Sequence, residues 1–223
     1  MKRSEINRAI RHMEAMIEQC CFPLPPFCHY TPEQWLDQGH DHDEIRLAAL
    51  GWDITDYGLG EFDKIGLALI TLRNGYPGSL KKYAEKLLYL AEGQTAPMHY
   101  HYDKMEDIIN RGGGNVLITV YPSTEDGQLG TDDVTVQCDG TKKTVTAGTA
   151  IRLTPGTSIS LPPFLYHDFA VETGTGSVLL GEVSMVNDDE FDNHFLEPIG
   201  RFPEIIEDEA PYRLLCNEYP EAN

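Results

Sequence analysis

His99 and His101 are separated by one residue, and Glu106 follows in the same stretch, GQTAPMHYHYDKMEDIINRGG, residues 93–113. In an extended segment side chains alternate between faces, so the two imidazoles point the same way. A turn through 102–105 then brings Glu106 back beside them, which reads as a metal-binding hairpin. Two imidazoles and one carboxylate converging on a point suit a divalent first-row metal ion and leave positions open for a substrate. An isolated pair of alternating histidines is more often an ordinary polar pair on a strand, so the pattern needs a second, matching signal.

That signal is present. The spacing G-x5-H-x-H-x4-E-x6-G, met at Gly93, His99, His101, Glu106 and Gly113, resembles the first motif of the cupin superfamily. A later stretch resembles the second, G-x5-P-x-G-x2-H-x3-N, at Gly156, Pro162 and His167, with Phe164 in place of the inner glycine and Val171 in place of the asparagine. The resemblance implies His167 as a further ligand beside His99, His101 and Glu106. Four ligands on an octahedral ion leave two neighbouring positions, which suits a substrate with two adjacent oxygens such as the C1 carbonyl and C2 hydroxyl of a sugar. Chelation there polarises the carbonyl and stabilises an enediolate. Manganese or iron is the leading expectation for nitrogen and oxygen donors, with cobalt and zinc as alternatives.

Proton transfer between C1 and C2 also needs a placed acid or base. Lys104, in the turn between His101 and Glu106, could hold a substrate oxygen or donate a proton, or could be a solvated turn lysine. Lys86 sits among Leu87, Leu88 and Leu90 in an apolar strand and could be an inward charge at the substrate. Glu182, between Leu180 and Val183, is the base candidate, against the plain reading of an edge glutamate. Glu197 and Arg201 in EPIGR are candidates to close the mouth over the substrate, although a surface ion pair is the commoner explanation.

The elements that must position these residues are legible as periods. Residues 4–19 place Ile6, Ile10, Met13 and Ile17 at helical spacing behind Ser4 as N-cap, an amphipathic helix. Pro23, Pro25 and Pro26 force an extended link, and Thr31-Pro32-Glu33-Gln34 opens a short helix with a capping box. Ten strands are expected at 65–72, 83–91, 106–111, 115–121, 134–138, 143–147, 150–154, 158–161, 167–171 and 177–186, with Asp139-Gly140 as a tight hairpin. Short strands with frequent turn signals indicate an antiparallel sandwich or barrel, and a jelly roll fits the count. The expected plan is one all-β domain, a cupin double-stranded β-helix (61–186) with an N-terminal helical arm (1–60) and a C-terminal tail (187–223) packed back over the barrel.

Composition bounds the partners. Acidic residues outnumber basic ones 36 to 17, a net charge of -19, so nucleic acids and anionic membranes are repelled. The same balance disfavours a multiply phosphorylated substrate unless a local basic pocket overrides the field, and the expected partner is a small neutral monosaccharide. Five cysteines without framework spacing, Cys20, Cys21, Cys28, Cys138 and Cys216, read as reduced thiols. With no apolar leader and no apolar run near 18 residues, the expectation is a cytoplasmic protein.

The chain as a whole resembles the bacterial cupin-type D-lyxose isomerases, in HYHYDKMEDIINRGGG, PPFCHYTPEQW, GWDITDYG, YAEKLLYLAEGQ and NDDEFDNHFLEPIGRF. That resemblance implies a manganese-dependent aldose-ketose isomerase, a homodimer, converting D-lyxose to D-xylulose and also D-mannose to D-fructose. It carries the ligands over to His99, His101, Glu106 and His167 and leaves open which carboxylate moves the proton. Three rivals use the same scaffold: a metal-dependent dioxygenase, a phosphosugar isomerase and a non-catalytic sugar-binding cupin.

Overall fold

The computed structural model describes residues 1–186, 191–200 and 203–222. Thirteen strands among them form two antiparallel sheets. In chain order these are β1 (Gly51–Thr55), β2 (Leu67–Arg73), β3 (Tyr83–Leu90), β4 (Thr95–His101), β5 (Glu106–Gly113), β6 (Val116–Pro122) and β7 (Val134–Cys138), followed by β8 (Thr141–Val145), β9 (Thr149–Leu153), β10 (Ser158–Leu161), β11 (Leu165–Val171), β12 (Val178–Met185) and β13 (Asn193–Phe195). The larger sheet runs β1-β2-β3-β12-β5-β10-β7-β8 and the smaller β13-β4-β11-β6-β9. Their inner faces enclose one core, in which Leu88, Leu90, Ile108, Ile118, Ile159, Phe169 and Leu180 are all buried. This is a cupin jelly roll.

The first helix, α1 (Arg3–Gln19), lies on the outer face of the larger sheet. Ile6, Ile10, Met13 and Ile17 pack there with Trp52, Ile54, Ile70, Leu87 and Leu179. The sheet beneath it is therefore covered on both faces, which is why β1 is buried at all five positions and β2 at six of seven rather than alternating. The helix starts at Arg3 with Lys2 as its cap, not at Ser4. Ser4 is drawn away, its amide and hydroxyl both donating to the Asp208 carboxylate. Arg3, 2% exposed, ties this end to the tail through Glu207 and Glu218. The short helix α2 (Pro32–Leu36) carries the expected box, with Thr31 and Gln34 bonded reciprocally.

Two expectations are revised. Residues 51–55, placed in the helical arm, are the edge strand β1, in which Trp52 and Ile54 face α1 while Asp53 and Thr55 face the other way. And the 93–113 stretch is not a paired hairpin. β4 pairs with β11 and β13, whereas β5 pairs with β12 and β10, so the 102–105 connection crosses from one sheet to the other. The short turn reads as a hairpin in sequence, but barrel closure splits its arms between two walls. At Asp139-Gly140 both residues have positive φ, 50° and 75°, the twist a two-residue hairpin demands. Residues 187–190, 201–202 and 223 lie outside the described residues, and with them Arg201. No helix among the described residues is long and apolar enough to cross a membrane.

Candidate active site

Strand alternation brings six ionisable side chains into the barrel from both sheets. On the smaller sheet His99 and His101 share one face of β4, and His167 of β11 is the direct cross-strand partner of His99. On the larger sheet Glu106 opens β5 ahead of the inward Ile108, Glu182 follows Val178 and Leu180 on β12, and Lys86 precedes Leu88 and Leu90 on β3. Lys86 and Glu182 are cross-strand partners. Lys104 reaches in from the 102–105 connection.

The ligand atoms of His99, His101 and His167 lie within 4.8 Å of one another, a cluster able to hold a metal ion. Glu106 stands beside two of them, with Oε1 3.1 Å from His167 Nε2 and Oε2 3.6 Å from His101 Nε2. Two ligands at right angles on one ion, each about 2.1 Å from it, lie about 3.0 Å apart, so the closer separation suits a shared cation. The 3.1 Å approach is off the hydrogen-bond direction, and among the described residues His167 Nε2 and His101 Nδ1 are buried without a hydrogen-bond partner. Meanwhile His99 Nδ1 and His167 Nδ1 face the carbonyls of Pro97 and Leu165 at 2.8 and 2.9 Å. A carbonyl only accepts, so Nδ1 carries the proton and Nε2 presents a lone pair, the arrangement a ligand imidazole needs. Burial lowers the pKa of His99 well below the usual histidine value and also lowers that of His101, helped by the neighbouring histidines and by Lys104 respectively. Both are thereby kept neutral. The residues present fit a divalent cation.

Four charged groups are linked beside the histidines. Lys104 Nζ lies 2.7 Å from Glu106 Oε2 and 3.1 Å from Glu182 Oε1. Ser184 Oγ donates to the same Glu182 oxygen at 2.9 Å, and Lys86 Nζ stands 3.9 Å from it. Lys86, Lys104, Glu106 and Glu182 are each under 5% exposed, a depth at which charges persist only in compensating groups. Burial raises the Glu106 pKa, but the Lys104 ammonium together with His101 and His167 outweighs it and holds the group well below the carboxylate range.

All of these ionisable residues except His167 line a cavity of about 60 Å³, so their shared centre is not packed solid. Its remaining walls were not read from sequence. Thr55 and Tyr57 enter from the end of β1, Asn193 and Phe195 from β13, and Phe169 from β11. The Phe195 ring lies 5.5 Å from that of His99 and 5.8 Å from that of Tyr57. Tyr57 has a left-handed backbone, φ 55°, and its carbonyl accepts from Gly200 in the tail. The run Thr-Asp-Tyr-Gly at 55–58 is a turn signal that could have directed attention there. Glu197 is exposed, and the tail meets the cavity instead through Asn193 and Phe195. Phe164, in the glycine position of the second motif, adopts φ 60°, the conformation a glycine would supply, and its amide donates to the His101 carbonyl at 2.9 Å. Val171, in the asparagine position, packs in the core.

A two-sheet jelly roll with a histidine cluster and buried carboxylates facing its interior is a cupin with a candidate metal centre. Among solved structures, the chain is similar to L-ribose isomerase of Cellulomonas parahominis, with a TM-score of 0.62 over 92% of this chain and 98% of that one at 14% identity. It is likewise similar to Acinetobacter sp. DL28 L-ribose isomerase in complex with L-ribose, with a TM-score of 0.61 over the same shares at 12% identity. At those identities the likeness establishes the fold. The sequence is more telling. Residues 1–219 match the family model described as D-lyxose isomerase. Two proteins named D-lyxose/D-mannose isomerase, from Escherichia coli O157:H7 and Serratia proteamaculans, are each 47% identical, covering 98% of this chain and 98% of their own length. The chain belongs to the D-lyxose isomerase family, and it is a sugar isomerase.

Proposed function

We propose that the protein interconverts D-lyxose with D-xylulose, and D-mannose with D-fructose, by moving a proton between C1 and C2 of the open-chain sugar through an enediol. The observation that carries this reading is the buried chain Glu106–Lys104–Glu182, which lines one cavity with His99 and His101 of a three-histidine cluster. The names of the relatives that are 47% identical support the choice of sugars. A cation, manganese in this reading, would be held by His99, His101, His167 and Glu106 and would supply Lewis acidity at the sugar's vicinal oxygens.

Glu182 is the base that takes the proton from one carbon and returns it to the other. Lys104 and Ser184 both donate to its Oε1, which anchors the carboxylate where it lines the cavity. Lys104 donates to a sugar oxygen as charge develops on it, and Lys86, beside Glu182, binds a hydroxyl. Phe195, Tyr57 and Phe169, with Leu67, Leu69 and Leu88, form the apolar part of the wall and exclude water from the reacting end. Because the lysines face carboxylates, the cavity's charges offset each other instead of gathering for a phosphate, so the substrate is a neutral monosaccharide.

The test is to incubate the manganese-loaded protein anaerobically with a panel of free aldoses in D2O. Ketose formation from D-lyxose and D-mannose, with solvent deuterium entering at C1 or C2, is expected. Sugar binding without turnover, or product that requires O2, discards the reading.

A further inference from the structure

The 102–105 connection joins His101, the last residue of β4, to Glu106, the first of β5, and carries Lys104 between them. It crosses from one sheet to the other, beyond the β4–β11 pairing on one side and before the β5–β12 pairing on the other. One residue of the tail takes three of its amides. The Asp192 carbonyl accepts from the Tyr102 amide at 3.2 Å, Oδ1 accepts from the Asp103 amide at 2.8 Å, and Oδ2 from the Lys104 amide at 3.1 Å. A carboxylate that spans two successive amides accepts two charge-assisted hydrogen bonds and fixes the local backbone in one orientation.

We propose that Asp192 is a positioning residue for the isomerase reaction, clamping the 102–105 turn so that the Lys104 ammonium stands between Glu106 and Glu182. The inference rests on the reading of Lys104 as the group that touches the sugar. A lysine side chain is long and rotamer-rich, and holding its end within hydrogen-bond reach of two carboxylates requires a stationary Cα. The clamp provides that from far along the chain. Its neighbour Asn193 is in register with His101 on β4 and lines the cavity, so the docking of β13 sets the wall and the clamp together. The tail is in this way part of the reacting end of the site and not only its cover.

The experiment compares kcat and KM for D-lyxose in Asp192→Ala, Asp192→Asn, Lys104→Ala and the Asp192→Ala/Lys104→Ala pair, together with bound manganese and amide hydrogen exchange at 102–105. Asp192→Ala is expected to lower kcat about ten- to hundredfold with KM within about threefold, since a small misplacement of a reacting group costs that much. Exchange at residues 103 and 104 should accelerate, manganese content should hold, and the double variant should be no slower than Lys104→Ala alone, because both changes act through one group. Asp192→Asn keeps one acceptor and should fall between, and it carries the test if the alanine variant does not fold. The proposal is overturned if kcat in Asp192→Ala stays within about twofold of the unmodified protein, if the two losses multiply, or if lost activity tracks lost metal. Unaltered turnover in Lys104→Ala would instead overturn the reading on which the inference rests.

Discussion

Lys104 Nζ lies 3.1 Å from Glu182 Oε1, a buried pair that ties the crossing between the sheets to β12. With Glu106 2.7 Å away on its other side, the ammonium is shared by two carboxylates from neighbouring strands of one sheet. Replacing it by alanine should lower kcat on D-lyxose by about 10²- to 10⁴-fold, the range for loss of a placed acid or base. Steady-state kinetics beside metal analysis checks this, and metal content should fall far less than turnover.

The histidine cluster makes a second expectation. Chelator treatment should abolish isomerisation and lower the thermal midpoint, and added manganese should restore both, because a ligand that binds the folded state alone stabilises it. Calorimetry on the stripped and reloaded protein reads this directly. Full activity after exhaustive stripping is the contrary result.

Gly113 ends β5 with φ 85°, and a Cβ there would come within 2.3 Å of the Ser177 carbonyl and 2.0 Å of the Met16 methyl. Met16 can swing aside, but the backbone oxygen cannot. Gly113→Ala should therefore cost about 1–3 kcal/mol. Urea unfolding would expose the error if the variant were as stable as the parent.

Burial pushes the Cys28 thiol up to about 12, whereas Cys21 is exposed. Since the thiolate is the reacting form, iodoacetamide at pH 8 should alkylate Cys21 and spare Cys28 in the folded protein, and reach all five cysteines only after denaturation. Peptide mass spectrometry distinguishes the two, and early labelling of Cys28 would contradict its burial beneath α1.

Much of this arrangement is legible in sequence because it follows local period. His99 and His101 share a face for the same reason that Leu88 and Leu90 do, and Lys86 and Glu182 betray themselves by occupying core positions of apolar strands. Other features depend on contacts that no local pattern encodes. Barrel closure, not turn chemistry, separates β4 from β5. β13 is three residues long in a tail whose polarity hides it, and the Asp192 carboxylate meets amides 88 and 89 positions earlier. Phe195 and Tyr57 read as ordinary apolar residues until the tail is docked against the end of β1.

Glu182→Gln tests the central claim most directly, since the amide keeps the shape of the carboxylate and removes its basicity. With D-lyxose as substrate and manganese bound, kcat should fall by about 10²- to 10⁴-fold while metal content and thermal midpoint stay near those of the unmodified protein. A variant that turns over D-lyxose at the unmodified rate would show that the proton does not pass through this carboxylate and would contradict the account.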